Sequence, residues 1–172
     1  MKLNIGCGNK RLPGYTGVDV EASRSGVDIV AKADAIPLPD NSVAEILAIH
    51  LWEHFYLWEC PKVLLEWRRV LMPGGLLVLE LPDLVKAAKN LLDQEAGVGN
   101  WPKPDQQSMW AIYGDPTTND PFMTHQWGWS PRSLSAFLKR YEFTGIVQRP
   151  TQWHPAGREH RDMRLEAYKP GF

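Results

Sequence analysis

A short apolar run that breaks into two glycines, one residue apart, limits most strongly what this chain can become. Leu3-Asn4-Ile5 leads into Gly6-Cys7-Gly8, and a second apolar run, Gly17-Val18, closes on Asp19. Glycine is needed where backbone turns sharply and comes close to a ligand, because a Cβ would block the approach. An ionised carboxylate is a pure acceptor, which suits the two hydroxyls of a ribose. The pattern describes half of a nucleoside site in an α/β sheet. Spacing adds a second constraint. Ten residues separate Gly8 from Asp19, with Pro13-Gly14 among them, whereas a parallel crossover usually takes a dozen or more and carries a helix. The first crossover helix is therefore expected to be truncated to a turn, leaving the loop itself to cradle the ligand.

Further along, strands are expected at residues 2–5, 15–20, 27–31 and 43–50, with His50 where the fourth should end. From Pro61, apolar residues recur with helical period at Val63, Leu64, Trp67, Val70 and Leu71, and Pro73-Gly74-Gly75 is read as the helix stop. Leu76–Leu81 is the next buried strand. Leu84, Val85, Ala88, Leu91 and Leu92 mark another amphipathic helix. Residues 98–130 then lose clear periodicity, and so long a segment inside one domain is expected to be functional, covering the substrate. Ser130-Pro131 caps and starts a helix with Leu134, Phe137, Leu138 and Tyr141 on one face. Residues 143–149 and 162–169 are the last strands; the connection between them is too short for a crossover helix, so they should be antiparallel. The expectation is a single domain over 1–172. Its class is α/β: a Rossmann-like, mostly parallel sheet with helices on both faces and an antiparallel last strand.

Charge and cysteine usage narrow the field. A net charge of −1 without a basic run gives nucleic acid no support as a partner. No stretch has the apolar length of a membrane span, and the N-terminus lacks the apolar core of a signal peptide. Two cysteines, one inside the glycine loop, argue for a reduced, cytoplasmic protein rather than a disulfide scaffold. Eight tryptophans are many for 172 residues, and Trp101, Trp110, Trp127, Trp129 and Trp153 fall late in the chain. They read either as core packing or as an aromatic wall over the site.

Five segments together carry a resemblance: Asn4–Gly8; Gly17-Val18-Asp19; Asp34-Ala35-Ile36-Pro37-Leu38-Pro39-Asp40-Asn41-Ser42; His50-Leu51-Trp52-Glu53-His54; and Arg69–Gly75. In that order and spacing they resemble the class I S-adenosylmethionine-dependent methyltransferases, most of all the small-molecule, type 11 branch. The resemblance implies S-adenosylmethionine as cofactor, S-adenosylhomocysteine as product and a small-molecule methyl acceptor. It implies that Gly6, Cys7 and Gly8 pass beneath the methionine and ribose of the cofactor, that Asp19 holds the ribose hydroxyls and that Val20 lies on the adenine. Asp34 would accept from the adenine amino group, with the Ala35 N–H offered to the ring. His50 would contact the methionine end and the incoming acceptor. Asn4 stands where the family usually has an acidic residue, which removes a charged partner for the cofactor ammonium. Lys10 replaces the usual third glycine.

His50 is the first candidate for a catalytic base and His125, beside Trp127 and Trp129, the second. The acceptor pocket is expected from residues 98–130, with Trp110, Tyr113, Trp127 and Trp129. His50-x-x-Glu53-His54 also matches an inverted zincin pattern. That site needs a third ligand and an amphipathic helix, and here the motif follows a buried strand, so no metal is expected. Two other classes compete. A nicotinamide-binding Rossmann oxidoreductase would want a third glycine where Arg11 stands and a full crossover helix. A non-catalytic binding or scaffold protein could keep the same fold. The strand edge left by the truncated crossover leaves a homodimer open.

Overall fold

The computed structural model describes residues 1–95, 104–115, 119–153 and 159–171. Strands β1 (Lys2–Ile5), β2 (Thr16–Asp19), β3 (Ile29–Val30), β4 (Val43–Ile49), β5 (Leu71–Pro82), β6 (Thr144–Arg149) and β7 (Asp162–Tyr168) form one sheet in the order β3-β2-β1-β4-β5-β7-β6. The first five run parallel and β7 pairs antiparallel with both of its neighbours. Helices α1 (Cys60–Val70), α2 (Leu84–Glu95), α3 (Pro104–Tyr113) and α4 (Pro131–Arg140) lie around it. This is the mostly parallel, Rossmann-like sheet with an antiparallel end strand that the sequence pattern implies.

The first crossover has no helix, as the spacing requires, and neither do the next two: residues 6–15, 20–28 and 31–42 are turns and bends. Loops packed on loops stand in for helices. The Gly26 N–H donates to the Gly8 carbonyl, and the Ser25 N–H to the Asn9 side chain. A Cβ on Gly17 would lie 2.0 Å from the Gly26 carbonyl oxygen, so this close approach needs glycine. The third crossover is held by Arg69, which donates to the carbonyls of Ile36 and Leu38 and to the carboxylates of Glu66 and Asp40. Glu66 in turn accepts from the Ile36 N–H. Sequence reading treats Arg69 only as part of a helix stop; the structure makes it the clamp on the proline loop.

Alternation along the strands sends Leu3/Ile5, Ile46/Ala48, Leu77/Leu79/Leu81 and Met163/Leu165/Ala167 to one face of the sheet. There they bury against Val63, Leu64, Trp67 and Val70 of α1 and Leu134 and Leu138 of α4. Trp52, Trp67 and Trp129 meet in this core, with Trp52 centred 5.3 Å from Trp67 and 6.2 Å from Trp129. The opposite face is polar over much of its extent. Glu80, fully buried, accepts from the Gln152 and Trp153 amides, Arg164 pairs with Glu166, and the Tyr15 hydroxyl donates to Glu45.

Two boundaries differ from the sequence reading. Helix α1 ends at Val70, not at Pro73-Gly74-Gly75, and β5 already begins at Leu71. Val43 pairs with Leu71 and Glu45 with Leu76, so Met72–Gly75 bulges out of the ladder, fastened to Lys169 by two backbone hydrogen bonds. Residues 104–113 form α3 inside a segment without apolar periodicity. Over 108–113 the buried positions, Ser108 and Ala111, are small, while Met109 and Tyr113 face solvent, so this stretch shows no apolar stripe.

Candidate functional site

The carboxyl ends of β1, β2 and β4 open into a cleft of about 610 Å³, where an open α/β sheet is expected to take its ligand. Gly6 and Gly8 line its floor, both with left-handed backbone (φ +69° and +53°). A Cβ on Gly6 would come within 2.8 Å of the Leu51 side chain. Asp19 also lines the cleft; its carboxylate accepts from the Gly8 N–H at 2.9 Å and the Glu21 N–H at 3.1 Å. It thereby fixes the glycine loop and keeps further lone pairs for a ligand. Val20 lies on the wall, 44% exposed. Asp34 is on the rim, where Lys62 binds its carboxylate at 2.6 Å and helps hold its pKa below the usual range.

Three residues implied by the resemblance lie elsewhere. Asn4 is buried below the loop and braces it, its amide donating to the Lys10 carbonyl at 3.4 Å. The Cys7 side chain is buried against Gly17. The Ala35 N–H donates to Lys32 within a turn, so it is not offered to a ring; Ala33 and Lys32 line the cleft instead.

His50 follows β4 with φ +50°, a conformation that costs a β-carbon residue about 1–3 kcal/mol and persists only where neighbours hold it. They do. Its N–H donates to the Glu80 carbonyl, Nδ1 lies 2.9 Å from Glu53 Oε1, and Nε2 lies 3.1 Å from Asp162 Oδ2. Asp162 is itself gripped by the buried Arg161. Burial alone would drive the His50 ring neutral, but the two carboxylates outweigh it and raise the pKa to about 9. A carboxylate at each nitrogen favours the cationic ring, which counts against His50 as a general base.

The 119–130 segment closes over this end. The Gln126 and Trp127 amides donate to the Glu53 carbonyl, and Arg24 reaches across to Asp120 at 3.0 Å. Pro121–Thr124 and Gln126 line the cleft, as do His54, Phe55 and Tyr56. The tryptophans expected there do not. Trp129 is in the core, Trp127 is largely exposed, and Trp110 and Tyr113 line a neighbouring hollow of about 330 Å³. His125, by contrast, comes to the site, with Nε2 3.8 Å from Glu53 Oε1 and its ring against His54. Burial lowers its pKa, which favours the neutral imidazole. Trp101 and His154 lie outside the described residues. Sequence reasoning missed Arg24, Asp120 and Asp162, which sit far apart in the chain with no local pattern to join them.

Comparison with known proteins bears on the fold. Residues 3–79 match the family model described as methyltransferase domain. That span is similar to a methyltransferase domain. Among solved structures it is similar to a SAM-dependent methyltransferase from Archaeoglobus fulgidus, with 15% identity over 98% of this chain and 85% of that one, and a TM-score of 0.62. A SAM-dependent methyltransferase from Methanosarcina mazei is 19% identical over 99% of this chain and 92% of that one, at a TM-score of 0.63. Phosphoethanolamine N-methyltransferase 2 of Haemonchus contortus, solved with phosphomonomethylethanolamine and S-adenosylhomocysteine, is 11% identical; the match covers 98% of this chain and 49% of that one, at a TM-score of 0.58. No curated protein matches the chain in sequence. The matched span, 3–79, contains the glycine loop, Asp19, Asp34 and the His50–His54 motif, whereas His125 and Asp162 come from beyond it.

Proposed function

We propose that the chain binds S-adenosylmethionine in the 610 Å³ cleft and transfers its methyl group to a small-molecule acceptor. The observation that carries this reading is the cradle itself: two left-handed glycines, one packed tightly under Leu51, beside a carboxylate at the end of the next strand. When bound, the cofactor supplies a methyl already activated by its sulfonium, so the protein's task is alignment. Gly6 and Gly8 let the backbone come close, Asp19 accepts from the ribose hydroxyls and Val20 covers the adenine. Asp34 accepts from the adenine amino group at the rim, with Lys62 swinging aside. His50, held between Glu53 and Asp162, is a fixed positive charge that positions Glu53. A hydroxyl or amine acceptor would lose its proton to the imidazole of His125, which burial favours in its neutral form. The two cysteines, both free and buried, support a reducing compartment, the cytoplasm. No helix among the described residues is long and apolar enough to cross a membrane.

Thermal unfolding with S-adenosylhomocysteine tests the binding step. Ligand at about 100 times its dissociation constant should add about 2.7 kcal/mol, a rise of several degrees at this size. Asp19→Asn should shrink that rise. An unchanged midpoint with the adenosyl ligands and a raised one with NAD would overturn the reading in favour of a nicotinamide site. Binding without turnover of any acceptor would leave a scaffold.

A further inference from the structure

Glu53 is a buried carboxylate with imidazoles on more than one side. It is 2% exposed, and the approach of His50 Nδ1 does not give either carboxylate oxygen a well-formed hydrogen bond. A buried, ionised acceptor left so incompletely satisfied is costly. Two imidazoles stand beside it. His54 Nδ1 lies 3.1 Å from the Thr124 carbonyl and His125 Nδ1 lies 3.1 Å from the Ala111 carbonyl. A carbonyl can only accept, so in each ring Nδ1 must carry the proton and the neutral ring presents a bare Nε2. Backbone carbonyls that fix the tautomer in this way are the usual outer support of a metal-ligating histidine. The rings meet edge to face at 85°, with centroids 4.8 Å apart, and one ligand atom from each of Glu53, His54 and His125 lies within 4.8 Å of the others.

We propose that Glu53, His54 and His125 bind one divalent transition-metal ion of the zinc class beside the cleft. Two imidazole nitrogens and one carboxylate oxygen form the donor set of three-ligand zinc sites, in which a further coordination position stays open. The separations are wider than the contact distances of a closed metal sphere, so side-chain rotation of an ångström or so would draw them in. The inverted zincin pattern is thus half right. Glu53 and His54 would contribute, but both nitrogens of His50 are taken up by carboxylates, Nδ1 by Glu53 and Nε2 by Asp162, and the remaining ligand would arrive from residue 125. His54 also lines the cleft, so the metal would sit next to the acceptor. This inference stands on the cluster itself and does not require the methyl-transfer reading.

The test uses untagged full-length protein, stripped with chelator and titrated with Co²⁺ and Zn²⁺. Expected are one equivalent bound, a visible d–d band of four- or five-coordinate Co²⁺, and its replacement by Zn²⁺. His125→Ala and His54→Ala should each weaken binding by at least the ~10–100-fold that follows loss of an outer-shell partner. His160→Ala, at a histidine outside the cluster, should leave it unchanged. Glu53→Gln keeps the shape of the buried side chain and should also weaken binding, with circular dichroism reporting whether the fold survives. Absence of a Co²⁺ band in the folded wild type, or a band indifferent to His54→Ala and His125→Ala, would overturn the proposal. S-adenosylhomocysteine binding measured on the same stripped sample separates the two readings, since either ligand can bind where the other fails.

Discussion

At the scale of single residues, charge and burial decide more than identity. Arg69 makes five hydrogen bonds, two of them to carbonyls of a loop that has no helix to hold it. Removing it with Arg69→Ala should cost about 2 kcal/mol, read as a lower urea midpoint. Arg69→Lys should recover little, since a point ammonium cannot reproduce a planar fork. Cys7 behaves in the opposite sense. Burial pushes its thiol up to about 11, and the Asp19 carboxylate pushes the same way. The reactive species is the thiolate, so at pH 8 only on the order of one thiol in a thousand is competent. Alkylation of folded protein should therefore be slow at pH 8 and accelerate as pH rises toward 11. Labelling of Cys7 at pH 8 as fast as a free thiol would contradict this.

Among elements, the 119–130 segment is the one whose attachment should be measurable. It is tied to the β2–β3 loop by Arg24–Asp120, a pair about one-third exposed on each side. Such a pair contributes at most about 1 kcal/mol. Asp120→Ala should accordingly speed release of S-adenosylhomocysteine by up to about five-fold in stopped flow, with little change in thermal midpoint of the unliganded protein. If release is unaffected, the clasp is incidental and the segment's other bonds, to Glu53, His54 and the end of α3, hold it down. The same segment marks where sequence reasoning ends. Strands announce themselves through alternation, and the Ser130 capping box and Pro131 announce α4. Nothing comparable signals that His125 will meet Glu53, because that contact depends on a backbone path with no period. The place of His50 at the cleft was legible from its position after β4, but its pairing with Asp162 was not, since that residue reaches it from the far end of the chain.

For the molecule as a whole, one layer carries the stability. Trp67 is fully buried between α1 and the sheet, and its indole N–H donates to the Ala33 carbonyl at 2.9 Å. Trp67→Ala should cost about 3–5 kcal/mol, seen as a large fall in the denaturation midpoint. The architecture was readable because buried strands and the α1 and α4 repeats obey simple periods. The shortness of the first crossover was readable too, since sequence distance bounds what can fit; that the next two also lack helices was not drawn from the sequence. How those crossovers are held was not, because it rests on carbonyl and amide contacts that any residue can make. On that side of the sheet the backbone is kept in place by scattered bonds between loops, such as Gly26 to Gly8 and Ser25 to Asn9. Amide hydrogens there should exchange with solvent through small local openings, while those of β4 and β5 wait for global unfolding. A nucleoside spanning both loops would close that gap in protection, so in this protein the arrival of ligand and the last step of ordering would be a single event.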